Sequence, residues 1–140
     1  MRNFDNYIRI MCGGRPESCD MNGHCTCYFV VEGDGSVYPC DFYVLDQYKL
    51  GNVNENSFGE MYVCQTAKDF INQSIHKNSQ CLQCKWLNIC RGGCRRYREP
   101  FIDGKPGVNK FCSSYKKFFE NNISKLYEIA LIVDQQGKGM

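Results

Sequence analysis

The 140-residue chain has no long apolar run. Its 13 Gly, 23% charged residues and mean hydropathy of -0.47 exclude a membrane span. A dominant charge is missing as well. Seventeen basic against 15 acidic side chains leave a net charge of +2, too balanced to argue for nucleic acid or an anionic membrane as a partner. Met1 to Met11 carry Arg2, Asp5 and Arg9 among a few apolar side chains. There is thus no basic n-region followed by an apolar h-region, and the expected location is cytoplasmic. Histidine is scarce, His24 and His76 being the two present. His24 abuts Cys25, but the chain has enough thiols to close a site without it, so an ordinary polar role is preferred to a Cys3His zinc site. No internal repeat is visible.

What the chain has in excess is cysteine. It holds 11, roughly 8% of its residues, where cysteine begins to define the class of a short chain. An odd number leaves one thiol over in a pure disulfide scaffold, and a reducing cytosol would keep all of them free. Metal or cluster ligation is the leading reading.

The local signals predict few elements. Residues 27–31 and 37–40 are aromatic and β-branched runs on either side of Glu-Gly-Asp-Gly-Ser, a hairpin signature. Tyr28, Phe29, Tyr38, Phe42 and Tyr43 in and beside this hairpin suit a peptide groove or a small core equally well. Ser57 and Glu60 form a capping box ahead of Met61, Cys64, Ala67 and Ile71, which predicts a helix over about 58–74. From Lys77 to Pro106 the chain is rich in Cys, Gly and Arg with little periodicity, so something other than an apolar core must hold it. Arg91, Arg95, Arg96 and Arg98 crowd this stretch as donors toward anionic thiolates or as a solvated face, the latter reading being favoured for Arg98. A long amphipathic helix is predicted over about 109–133. Phe111, Tyr115, Phe118, Ile123, Leu126, Tyr127 and Ala130 fall mainly on its inner face. The polar, Gly-rich tail, 134–140, is expected to fray.

The thiol spacing is denser than packing requires. Cys81, Cys84, Cys90 and Cys94 form a C-x2-C-x5-C-x3-C run, and Cys112 follows after 17 residues. Two thiolates two residues apart can turn onto one centre, and a third can close around it. In two-cluster ferredoxins a final Cys placed like Cys94 ligates the other cluster. If Cys94 crosses over in this way, Cys112 completes one set with Cys81, Cys84 and Cys90. Cys19, Cys25 and Cys40 then join Cys94 in a second. Cys12, Cys27 and Cys64 are left as buried or half-buried thiols acting as small hydrophobes.

This pattern, with Cys25 and Cys40 spaced C-x9-G-x4-C through Gly35, resembles the seven-cysteine SPASM signature. That is the auxiliary-cluster domain of many radical S-adenosylmethionine enzymes that modify peptides. Cys25, Cys40, Cys81, Cys84, Cys90, Cys94 and Cys112 all match, and Cys19 is similar to the extra ligand of members with two full clusters. The wider sequence, including the Tyr-Pro-Cys40-Asp41-Phe-Tyr segment, resembles clostridial anaerobic sulfatase-maturating enzymes from about Cys12 to Val133.

The resemblance implies two [4Fe-4S] clusters, the first held by Cys19, Cys25, Cys40 and Cys94, the second by Cys81, Cys84, Cys90 and Cys112. It implies a reaction that oxidises a Cys or Ser of a sulfatase peptide to formylglycine, with Asp41 as general base and an auxiliary cluster as electron acceptor. The partners it implies are the sulfatase peptide, an N-terminal radical barrel and an electron-carrying protein. The C-x3-C-x2-C motif of the catalytic cluster is absent, since Tyr97 stands where a third Cys would follow Cys90 and Cys94. S-adenosylmethionine and a third [4Fe-4S] cluster would belong to a barrel of roughly 200 residues or more. The expectation is an excised C-terminal portion that binds clusters but does not catalyse: a start or linker over 1–18, the cluster domain over 19–133 and the tail over 134–140. The expected fold class is α+β, with an early hairpin, a middle helix and a long C-terminal helix organised around the clusters. Two alternatives stand beside it, a SPASM domain of another peptide-modifying radical enzyme and a structural zinc module that binds a protein.

Overall fold

A computed structural model describes residues 2–137. In chain order the elements are α1 (Arg2–Met11), β1 (Val30–Val31), β2 (Ser36–Tyr38), β3 (Gly51–Asn52), α2 (Phe58–Val63), α3 (Gln65–Ile75), α4 (Ser79–Leu82), α5 (Leu87–Cys90), β4 (Phe101–Ile102), β5 (Lys105–Pro106) and α6 (Cys112–Gly137). They belong to two compact units. One holds 24–76, and the other joins 2–23 to 77–137.

In the 24–76 unit the expected hairpin forms, with Val30 opposite Tyr38 and Val31 opposite Val37. Its turn is tied by the Asp34 carboxylate, which accepts from the Ser36 backbone N–H at 2.9 Å and the Ser36 hydroxyl at 2.8 Å. β3 adds a third antiparallel strand that two residues, Gly and Asn, did not announce. Behind the sheet lies a core of Cys27, Val37, Tyr43, Leu50, Met61, Ala67 and Phe70.

The middle helix is broken where the sequence predicted continuity. The Ser57–Glu60 capping box starts α2, but Cys64 adopts ψ 159° and ends it. The Cys64 sulfur then accepts from the Ala67 N–H at 3.5 Å, capping α3. Cys64 is therefore a hinge cap, while Cys27 is the small buried hydrophobe expected of it.

The other unit begins with a helix, α1, in the segment expected to be a start or linker. Tyr7 stacks on Phe118 at 5.8 Å and meets Phe119 edge-on at 5.2 Å, which fixes α1 against α6. Cys12 departs from its expected buried state. It is exposed, and its thiol donates to the Ala130 carbonyl at 3.5 Å.

α6 starts later than predicted because the Asn109 side chain accepts from Phe111 N–H at 2.9 Å and the Asn109 carbonyl accepts from Cys112 N–H at 2.8 Å. It continues to Gly137, through residues expected to fray; 138–140 lie outside the described residues. Its inner face is mostly the predicted one, with Leu126 and Ala130 buried and Tyr115, Phe118 and Ile123 packed against the core, joined by Phe119. Tyr127 departs from it, being 56% exposed, and Phe111, 42% exposed, precedes the helix. A second hairpin, β4–β5, turns on Asp103 and Gly104, both with positive φ. Such an Asp-Gly pair is a local hairpin signal. No helix among the described residues is long and apolar enough to cross a membrane.

Candidate metal centre

Four thiols of the predicted second set line one cavity. Cys81 lies in α4, Cys84 two residues past its end, Cys90 at the end of α5 and Cys112 at the start of α6. Short turns bring them there. Asn78 caps α4 by accepting from Gln80 N–H at 3.0 Å. Cys84 N–H then donates to the Cys81 carbonyl at 3.1 Å, and Leu87 N–H to the Cys84 carbonyl at 3.0 Å. Cys90 is followed by three consecutive left-handed residues, Arg91 (φ 53°), Gly92 (φ 87°) and Gly93 (φ 69°). The buried Asn109 amide donates to the Gly92 carbonyl at 3.0 Å. One side chain thus ties the turn after Cys90 to the start of the helix that carries Cys112.

The electrostatics follow from this crowding. Burial pushes the Cys81 thiol up, and the neighbouring thiols of Cys112 and Cys84 push it further. Burial also raises the Cys90 thiol, with Cys112, Cys81 and Cys84 adding to the rise against a hydrogen bond from the Gly92 N–H. Four thiols crowded around a half-buried cavity would repel one another as thiolates, a charge that a cation would neutralise, and its binding would displace their protons. Arg98 and Lys77 lower Cys81. Arg98 departs from its expected solvated face, being 1% exposed. Its buried charge offsets part of the negative charge such a site would carry. Cys112 sits at the N-terminal end of a 26-residue helix.

The donor set suits an iron–sulfur cluster. All four side chains are thiols, and they stand around the walls of a cavity of about 400 Å³, solvent included. Among the described residues no three His, Cys, Asp or Glu side chains converge closely enough for a single ion.

The residues of the predicted first set divide between the units, Cys19 and Cys94 in one, Cys25 and Cys40 in the other. Cys25 and Cys40 both pack against the 24–76 core. The Cys25 N–H donates to the Ser74 hydroxyl oxygen at 2.7 Å. Burial pushes the Cys40 thiol up to about 12, with contributions from Asp41 and Cys25. Asp41 is exposed at the start of a single 3-10 turn, and its Oδ1 accepts from the Cys40 thiol at 3.1 Å and from Phe42 N–H at 3.1 Å. His24 is exposed.

Comparison with known proteins gives a consistent result. Residues 19–85 match the SPASM family, an iron–sulfur cluster-binding domain. The chain is 49% identical over 130 residues to the cysteine-type anaerobic sulfatase-maturating enzyme of Clostridium novyi, covering 93% of this chain and 35% of that protein. A serine-type enzyme from Bacteroides thetaiotaomicron is 33% identical over 120 residues, 84% of this chain and 29% of that protein. Among solved structures, native anSMEcpe with bound AdoMet and Cp18Cys peptide superposes with a TM-score of 0.90 at 44% identity, covering 94% of this chain and 37% of that one. The chain spans about a third of the length of the relatives it matches.

Proposed function

From a chain that carries a SPASM iron–sulfur cluster-binding domain and is similar to anaerobic sulfatase-maturating enzymes over nearly its whole length, we propose an auxiliary-cluster role in formylglycine formation on a sulfatase. The observation that carries this reading is the single cavity lined by Cys81, Cys84, Cys90 and Cys112. These four residues would hold one [4Fe-4S] cluster. Cys19, Cys25, Cys40 and Cys94 would hold a second, an assignment supported by their spacing in the sequence. When bound, such clusters supply one-electron redox capacity close to a peptide.

The chain's own residues supply the rest. The cavity's thiols lie in α4 and just after it, at the end of α5 and at the start of α6, so ligation would fix α4, α5 and α6 with respect to one another. The buried Arg98 guanidinium favours the thiolate at Cys81. Asp41 would take a proton from the substrate. It is exposed, and ligation of Cys40 would remove the thiol proton that Asp41 Oδ1 accepts, leaving that oxygen with the Phe42 N–H. The radical step, S-adenosylmethionine and a third cluster are assigned to a partner barrel, because this chain has no C-x3-C-x2-C motif. By itself the chain is expected to load iron and not to turn over. The peptide partner would be a sulfatase segment bearing the Cys or Ser to be oxidised.

Anaerobic reconstitution of this chain, followed by iron, sulfide and zinc analysis, tests the reading. About eight irons with matching sulfide and a brown chromophore are expected for two clusters. Two zincs and no charge-transfer absorption after the same treatment would overturn it in favour of a structural zinc module. Asp41→Asn in the full-length parent should leave iron content unchanged and lower product formation. Unchanged turnover would remove Asp41 from the reaction.

A further inference from the structure

One residue that lines the four-thiol cavity carries a buried donor with no acceptor among the described residues. The indole Nε1 of Trp86 is buried and has no hydrogen-bond acceptor among the described residues, while the residue lines the same cavity as Cys81, Cys84, Cys90 and Cys112. An indole nitrogen can only donate. A buried donor left without an acceptor is uncommon enough in a native fold to need an explanation, and an unseen ion or group is one of the recognised ones.

The ring is held in place. Trp86 lies between two of the thiols in sequence, and its carbonyl accepts from Ile89 N–H at 3.1 Å and from Cys90 N–H at 2.8 Å. Its ring packs on the fully buried Phe119 of α6 at 5.6 Å, and the Lys85 ammonium sits over it at 4.7 Å. The position of this donor is therefore fixed by the same backbone turns that place Cys84 and Cys90.

We propose that the Trp86 indole N–H donates a hydrogen bond to a sulfur of the iron–sulfur cluster held by these four thiols and raises that cluster's reduction potential. This rests on the cluster reading given above. The sulfur atoms of such a group, thiolate or sulfide, are anionic acceptors, and a donor aimed at them stabilises the reduced, more negative state more than the oxidised one. Bonding of this kind would satisfy the orphan N–H and make Trp86 part of the site.

The sequence contains a single Trp, which makes the test direct. The full chain, grown with indole-15N tryptophan, is reconstituted anaerobically with iron and sulfide, reduced, and measured by pulsed electron paramagnetic resonance. A resolved 15N coupling to one of the reduced clusters is expected. In Trp86→Phe the reduction equilibrium of that cluster should weaken about tenfold, a fall of about 59 mV for one electron, while the other cluster's potential stays where it was. Loaded protein with no 15N coupling overturns the proposal and leaves the cluster reading standing. A natural chain in which these four thiols take up no iron overturns both. If Trp86→Phe does not load, the labelled natural chain decides the matter alone.

Discussion

Gly93 shows how much one residue can decide here. Its φ is +69°, and a Cβ built on it would run into Asn109 Nδ2, the atom that donates to the Gly92 carbonyl. Gly93→Ala therefore combines left-handed strain of about 1–2 kcal/mol with displacement of the side chain that ties the Cys90 turn to the start of α6. The reconstituted variant should melt earlier and release iron to a chelator faster. Gly104→Ala is the control, since Gly104 has a similar φ of +72° but open space around its would-be Cβ. It should show the strain without the faster iron release; equal release rates for the two variants would contradict the tie. Asp34 makes a second residue-level case. The Ser36 N–H and hydroxyl hold its carboxyl below the ordinary carboxylate value. A depressed acid stabilises the fold above the unfolded pKa of about 3.9 and loses that contribution as pH falls through its folded value. The melting-temperature gap between the natural chain and Asp34→Asn should thus shrink in acid below about pH 4. A gap that holds constant down to pH 2 would show that the carboxylate is not the source.

At the scale of elements, the break between α2 and α3 is a cap made by a cysteine. Cys64→Ala should cost about 1 kcal/mol, as loss of an N-cap does, and Cys64→Ser should restore it. Iron content should be the same in both; lower iron in Cys64→Ser would make this thiol a ligand and not a cap. α1 gives a larger effect. Tyr7→Ala removes a ring packed on both Phe118 and Phe119 and should cost about 3 kcal/mol in denaturant unfolding. A loss under 1 kcal/mol would mean that α1 is not docked as described. These two elements also mark where the sequence was readable and where it was not. The capping box at Ser57 and Glu60 and the hairpin turn around Gly35 announce themselves because local hydrogen bonds determine them. α4 and α5 are four residues each, too short for any periodicity to register, and β3 is a Gly-Asn pair whose pairing partner is remote in sequence. The burial of Arg98 was illegible for a related reason. A guanidinium is ordinarily placed on a surface, and its neighbourhood with Cys81 gives a physical reason for it to be inside. The gathering of Cys81, Cys84, Cys90 and Cys112 around one cavity was legible because thiol spacing is itself chemistry, independent of how the intervening chain folds.

At the scale of the whole molecule, apolar packing is spread unevenly. The 24–76 unit has seven buried core residues of its own, whereas between Ser79 and Cys112 Ile89 is the one buried member of an apolar cluster, with the half-buried Trp86 and Cys90 packed against it. Removal of iron from the reconstituted chain should therefore unfold the segment 79–112 first. Hydrogen exchange should show amides of α4, α5 and the Arg91–Cys94 turn losing protection, while those of Val37 and Phe70 keep theirs. Uniform loss across both regions would indicate that the apolar core of 24–76 does not stand on its own.

The spread of the four thiols along the chain has a consequence for the order of construction. Cys81, Cys84 and Cys90 fall within ten residues of chain, while Cys112 arrives only with the first turn of α6. On the proposed ligation, three thiols would capture metal while the long helix is still undocked, and the fourth would arrive with that helix. Until then the capture would be loose and exchangeable. Afterwards the lifetime of the metal would be set by how tightly Phe119 and its neighbours hold α6 down, so a packing interaction that touches no metal would become the latch on it.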